Sequence, residues 1–324
     1  MPDAMLGIDI AKASLHAVLL HDGSEHSRSF PNNAKGFTQI AHWLRNRKVT
    51  HVHACLESTG AYGEAVAIAL HDAGHTVSIV NPARIKGFAQ SELARNKTDA
   101  LDAGVIARFC KAMAPVPWTP PAPEIRALQA LTRRLSSLID ARAQELNRAD
   151  APGVVDPVAA SIRAHIEHLD GQIRELEIQI ADHIDQHPSL REQHDLLASI
   201  PGFGTKTSAR FIGELPDVTR FDSAKQLSAF IGLSPQRCES GSSVRGRTRL
   251  SKRGNARLRK WLYFPAIAAM WFNPILRRFA ERLHAAGKNK MVIVGAVMRK
   301  LVHLAYGVLK SRRPFNPNFD TKLA

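Results

Sequence analysis

Three serines and a glycine stand directly ahead of a cationic run in residues 238–260, CESGSSVRGRTRLSKRGNARLRK, where eight Lys/Arg residues face one acid, Glu239. A serine hydroxyl attacks a phosphate ester only when a base or a cationic setting activates it. Histidine is absent from this stretch, so a serine–histidine pair has no local support at Ser240. Arg245, Arg247, Arg249, Lys252 and Arg253 instead suit a phosphodiester, whose developing charge they would neutralise during an in-line displacement. Residue types alone leave a second reading open: a flexible basic loop that only grips a polyanion.

Four carboxylates offer different chemistry. Asp9 interrupts an apolar run between Ile8 and Ile10, so strand alternation turns it to the face opposite those two. An acid there is costly to bury unless something compensates it. Glu57 closes the run VHACLE, and Asp99 and Asp102 stand at i and i+3 in NKTDALDA, on one side of a helix. Asn96 or Thr98 is a candidate cap for that helix, whose N-terminal dipole favours nearby anions. Two strand acids and two helix acids would suit Mg²⁺, which takes a few carboxylate oxygens together with water and substrate phosphate. Taken singly, Asp99 also reads as a helix-start acid and Glu57 as a loop acid.

The elements that must position these residues follow from periodicity. LGIDIAKASLHAVLL alternates as a strand, breaks around HDGSEH and resumes near Arg28–Phe30. FTQIAHWLRNR has helical spacing, with Phe37, Ile40, Ala41 and Leu44 on one face. VHACLES reads as a buried strand, EAVAIALHDAG as a helix capped by Gly74, and HTVSIVNP as a strand stopped by Pro82. Such alternation predicts an α/β sheet domain over residues 1–122. The proline-rich PVPWTPPAP then acts as a stiff connector.

Leu128, Leu131, Leu135, Leu138 and Arg142, and then Ile162, Ile166, Leu169, Ile173, Leu176 and Ile180, follow alternating spacings of three and four. The breaker ADAPGVVDP separates them, which predicts a helical hairpin over 123–188 with coiled-coil seams for dimerisation. A core-facing helix pair within one chain fits the same spacing. Residues 189–324 read as mainly helical. LLASIPGFGTKTSARFIGEL predicts helix, turn, helix, and its turn N–H groups suit a phosphate or a plain structural corner. Further helices are expected at SAKQLSAFIGL, NARLRKWLYFPAIAAMW and MVIVGAVMRKLVHLAYGVL.

Taken together, GIDIAK, CLESTGAY, IVNP, AQSELARNKTDALDA, SIPGFGTKTSA, FIGLSPQRCESGSSVRGRTRLSKRGN and RKLVHLAYGVLKS resemble the DEDD-type serine transposases of bacterial insertion sequences. These are recombinases guided by a structured bridge RNA, and the resemblance runs from Gly7 to about Phe315. It implies an RNase H-like (Holliday-junction-resolvase-like) domain, a coiled coil and a helical transposase domain. It also implies that Asp9, Glu57, Asp99 and Asp102 bind Mg²⁺ and that Ser240 forms a covalent phosphoserine with DNA. Lys97, Lys206, Arg245, Arg247, Arg249, Lys252, Arg253 and Arg257 become candidate nucleic-acid contacts. The implied partners are donor and target DNA, the guide RNA, and further copies of the chain, as dimers assembling to a tetramer.

Charge agrees with a polyanion partner. The chain carries a net charge of +15, and residues 191–324 hold 25 Lys/Arg against 8 Asp/Glu, so the excess lies entirely in the C-terminal part. Its three cysteines, Cys55, Cys110 and Cys238, form neither a CxxC pair nor an even set, which suits a reducing, cytoplasmic setting; the resemblance implies a bacterial, nucleoid-associated one. The N-terminus lacks signal-peptide character, and no run of about 18 apolar residues predicts a membrane span. Two other functions fit parts of the pattern: an Mg²⁺-dependent, structure-specific nuclease that hydrolyses DNA, and a non-catalytic nucleic-acid-binding protein.

Overall fold

The computed structural model describes residues 4–58, 61–92, 99–215, 217–236, 239–240, 244–245 and 249–318. The chain divides into two compact units, Met1–Pro120 and Pro121–Ala324.

In the first unit, β1 (Met5–Ile10), β2 (Ser14–His21) and β3 (Ser24–Pro31) form an antiparallel meander. β4 (His53–Glu57) and β5 (Thr76–Val80) add in parallel, giving one mixed sheet in the order β3-β2-β1-β4-β5. The expectation of one strand through LGIDIAKASLHAVLL is corrected here. The chain turns back at Ala11–Ala13, with Ala11 N–H donating to the Ser14 carbonyl at 2.9 Å. That turn contains neither glycine nor proline, so the alternation runs through it unmarked. The second turn is also tighter than HDGSEH suggested. Asp22 and Gly23 both have positive φ, 49° and 74°, the Asp-Gly geometry that matches hairpin twist.

The two faces of the sheet are covered differently. Leu6, Ile8, Ile10, Ala54 and Leu56 pack with Ile40, Trp43 and Leu44 of α1 (Ala34–Arg45) and Val66 and Leu70 of α2 (Glu64–Asp72). Met5 and Cys55 face the other way, against Ile85 of α3 (Pro82–Ser91) and Val105, Ile106, Phe109 and Cys110 of α4 (Asp99–Met113). Asparagines start two of the helices that follow strands: Asn33 caps α1, and Asn81 caps α3 with Pro82 in its first turn. Gly74, at φ 84°, ends α2. The connector after α4 is pinned to β5, since Trp118 N–H donates to the Val77 carbonyl at 2.6 Å. This mixed α/β unit is consistent with the RNase H-like domain expected.

The second unit is mostly helical. α5 (Pro123–Ala149) and α6 (Asp156–Gln186) pack as a hairpin. Leu128, Leu135, Ile180 and Ile184 belong to the same core as the helices that follow, whereas Ile162 and Ile166 are only half-buried. α7 (Pro188–Ala198), α8 (Thr205–Glu214) and α9 (Ala224–Ile231) come next. After them the chain forms two nested antiparallel strand pairs. β6 (Pro235–Gln236) pairs β9 (Arg249–Leu250), and β7 (Glu239–Ser240) pairs β8 (Val244–Arg245).

α10 (Ala256–Trp261) and α11 (Tyr263–Phe272) replace the single helix expected over NARLRKWLYFPAIAAMW. Pro265 has no N–H to offer the Trp261 carbonyl, so the hydrogen-bond ladder stops there. α12 (Pro274–Ala285), which periodicity did not reveal, and α13 (Lys290–Ser311) complete the unit. By length and composition α13 is apolar enough to cross a membrane, but 56% of that window is buried in its own unit. From Ile293 to Leu309 its buried apolar residues belong to the core, whereas Met291 and Val292 at its start are exposed.

Candidate active site

A glycine sets the geometry of the acidic edge. A Cβ at Gly7 would stand 2.2 Å from the Ala103 carbonyl oxygen and 2.4 Å from the Ala107 nitrogen, so α4 lies directly on the β1 backbone. Only glycine permits that approach. The direction of α4 follows from a second contact. The Cys110 thiol lies 3.5 Å from the carbonyl of His53, the first residue of β4. The helix therefore runs antiparallel to β1 and β4, and its N-terminus lies toward their carboxyl ends.

Asp9 and Glu57 occupy those ends. Ile8 pairs with Leu56 in the parallel register, so Asp9 and Glu57 come one residue later on neighbouring strands. Alternation puts both on the α4 face, since Ile8 and Leu56 belong to the opposite core. Asp99 and Asp102 begin α4 at the same edge. Of Asp99 the backbone alone is described, whereas Asp9, Glu57 and Asp102 are all half-buried. Among the described residues no three His, Cys, Asp or Glu side chains stand close enough together to hold a metal ion. Among the described side chains, Asp9, Glu57 and Asp102 share an edge without forming a closed cage. An all-carboxylate donor set at an open edge still fits Mg²⁺, which commonly takes one or two carboxylates and completes its shell with water and substrate phosphate.

Behind the acids, two thiols are sealed in. Cys55 and Cys110 are fully buried, and the hydrogen bond between them together with burial pushes the Cys55 thiol well up. It stays neutral and serves as packing.

Ser240 lies in the second unit, on the inner of the nested strand pairs between α9 and α10. Ser240 pairs with Val244, and Glu239 with Arg245, in the inner pair. Only the backbone of Ser240 and Arg245 is described, and Ser242, Ser243, Lys97 and Arg247 lie outside the described residues. The base of this arm is held firmly. A Cβ on Gly254, at φ 141°, would meet the Phe230 carbonyl oxygen at 2.2 Å. Asn255 N–H donates to that same carbonyl at 2.8 Å, and the Arg259 guanidinium donates to the Ile231 carbonyl at 2.9 Å. Leu250 packs on Gly295 of α13, 3.2 Å from where a Cβ there would be.

Glu214, at the end of α8, ties the arm to the hairpin. Its carboxylate accepts from Arg133 of α5 at 2.5 and 3.1 Å and from Asn255 Nδ2 at 3.2 Å, with Arg257 at 3.8 Å. Neither Glu214 nor Gly7 was singled out from sequence. A glycine inside an apolar strand was the available signal for Gly7, whereas Glu214 offered none.

The remaining basic candidates divide by partner. Arg249, Lys252 and Arg253 are exposed beside the arm, and Lys252 has positive φ, 53°. Arg257 is 60% exposed despite its contact with Glu214. Lys206, on the first turn of α8, pairs with Glu177 of α6 at 2.5 Å. The adjoining Pro-Gly-Phe-Gly turn has a structural role. A Cβ on Gly202 would fall 2.6 Å from the Ala269 side chain, and Asn273 donates to the Pro201 carbonyl at 3.4 Å.

Residues 6–152 match a DEDD-type IS110 family model described as transposase, and residues 194–281 match the transposase IS116/IS110/IS902 family. Over 319 residues the chain is 32% identical to the pilin gene-inverting protein of Moraxella lacunata, covering 98% of both chains. The chain belongs to the IS110 family of transposases. Another relative is the transposase for insertion sequence element IS1328 of Yersinia enterocolitica, 23% identical over 353 aligned positions that cover 95% of this chain and 97% of that one. As an IS110-family transposase, the protein is an enzyme of DNA transposition and recombination, and DNA is its substrate.

Proposed function

We propose that this IS110-family transposase cuts and rejoins DNA through a covalent phosphoserine at Ser240, assisted by Mg²⁺ at Asp9, Glu57, Asp99 and Asp102. In this reading the Ser240 oxygen attacks phosphorus, the P–Oγ bond forms, and the leaving deoxyribose oxygen departs with a proton. Arg245, Arg247, Arg249, Lys252, Arg253 and Arg257 hold the backbone and offset the charge that develops on the phosphate. Lys97 and Lys206 contact nucleic acid as well. A divalent cation, when bound, supplies charge neutralisation at a phosphate oxygen.

The observation that carries this reading is the shared edge: Asp9 and Glu57 at adjacent strand ends, with the first turn of α4 laid over them by Gly7. The covalent step is supported by the chemistry of exchange. A relative named for inverting a gene must rejoin each end it cuts. A phosphoserine stores the ester bond for rejoining, whereas hydrolysis discards it.

The division of labour follows the charge. Residues 1–122 supply the acids, 123–188 form a coiled-coil hairpin for self-association, and 189–324 supply the serine and the basic surface. Four copies assemble as paired dimers, and the acids and serine meeting at one phosphodiester come from different copies. Base recognition is delegated to pairing with a guide RNA, in the bacterial cytoplasm. Activity then waits for assembly, which protects the genome from stray cutting.

Ser240→Ala is expected to lose strand exchange while keeping DNA binding, and Asp102→Asn or chelation is expected to do the same. Retained cleavage without exchange in Ser240→Ala would support a hydrolytic nuclease instead. Wild-type exchange by both variants would overturn the site altogether.

A further inference from the structure

The helical unit exposes an aromatic stripe that its core does not use. α11 buries Pro265, Ala266 and Ala269 and leaves Phe264 and Trp271 75% and 66% exposed. These two are seven positions apart, two helical turns, so they share one face of α11 about 10 Å from end to end. Phe272 extends the stripe at one end. At the other, the Tyr263 ring lies 5.3 Å from Phe264, and its hydroxyl reaches the Met291 sulfur at 3.9 Å. That contact adds Met291 and Val292, which begin α13 and are both more than half exposed.

Cations flank the stripe. Between Phe272 and Val292 the chain carries Arg277, Arg278, Arg282, Lys288 and Lys290 against the single acid Glu281. The Arg277 guanidinium donates to the Trp271 carbonyl, which places positive charge at that end. Lys290 immediately precedes Met291 at the other.

We propose that this stripe docks an unpaired DNA strand, with bases stacked on Phe264 and Trp271 and phosphates turned toward Arg277, Lys288 and Lys290. Exposed aromatic faces combined with one sign of charge are what single strands use, because every base has a π-face and every linkage an anion. The stripe has room for two or three bases at 3.4 Å per step. Protein interfaces also favour aromatic, Met and Arg side chains, so what points to a polyanion is the charge. Five cations stand against one acid in the segment after Phe272, two of them lysines, a type that protein interfaces deplete. Strand exchange frees single strands, so an exchanging enzyme has such a ligand to hold. The proposal rests on the family's action on DNA and not on Ser240, so Ser240→Ala should retain this binding in full.

The test uses the full-length protein and a fluorescent oligothymidylate at elevated salt, where phosphate contacts are screened and stacking persists. Phe264→Ala/Trp271→Ala is expected to weaken binding roughly ten-fold or more, with duplex affinity and oligomeric mass unchanged. Trp271→Phe should restore most of the loss due to Trp271→Ala, since a ring remains. Unchanged oligothymidylate affinity in the double variant would overturn the proposal. So would a fall in oligomeric mass with binding retained, which assigns the stripe to self-association, or a loss confined to oligouridylate, which assigns it to RNA.

Discussion

Gly7 and Ala103 are in backbone contact: a methyl group on the first would sit 2.2 Å from the carbonyl oxygen of the second. Because α4 carries Asp102 at its start, this contact sets how far the helical acids stand from Asp9 and Glu57. Gly7→Ala must push α4 off the sheet. Overpacking of this kind costs about 1–3 kcal/mol, and displacement of a catalytic group by about 1 Å can cost about a hundred-fold in rate. Denaturant unfolding should show the modest loss and a strand-exchange assay the large one. Gly171→Ala, mid-helix with nothing within 4 Å of the added carbon, is the control and should lower neither.

Glu214 is 4% exposed and holds Arg133, Asn255 and Arg257 together. Removing one member of such a buried pair strands the other, at about 3–5 kcal/mol; Arg133 is 31% exposed, which puts the expectation at the lower end. Glu214→Ala should therefore lower the urea midpoint clearly. It should also reduce exchange beyond the stability loss, because Asn255 anchors the base of the serine arm. Glu214→Gln, which keeps an acceptor, should fall between.

His303 supplies a pH test. Burial, reinforced by Lys300, Arg299 and Lys225, lowers its imidazole from 6.5 to about 4. Between those values the unfolded chain takes up a proton that the folded chain refuses, so stability is complete above pH 6.5 and falls as pH drops toward 4. His303→Gln should flatten that part of the stability–pH curve. An unchanged slope would show that the imidazole does not titrate this way.

Much of the first unit was legible because its signals are local. Ile40 and Leu44 show helical spacing, Gly74 and Pro82 end their elements, and Asp9 is conspicuous as an acid between two isoleucines. The β1–β2 turn was not legible, since Ala11–Ala13 contains no turn-forming residue. Neither was α12, which begins at Pro274 directly after the aromatic run. For the hairpin, heptad spacing could not tell a self-association seam from a core face, and Leu128 and Ile184 show that part of it is core. The acidic edge needed the parallel register of β1 and β4, a long-range pairing that no local pattern carries. Glu214 was invisible for the same reason, its partners lying 81 and 41 residues away.

The central claim, that the acids and the serine act on one DNA linkage, is tested most directly by trapping. A DNA substrate nicked beside the scissile phosphate lets the cut strand diffuse away and leaves any protein-linked intermediate in place. After denaturation and digestion, mass spectrometry should find nucleotide attached to the peptide containing Ser240, and none in Asp102→Asn. Attachment at another residue, or cleaved ends with no protein attached, would contradict the account.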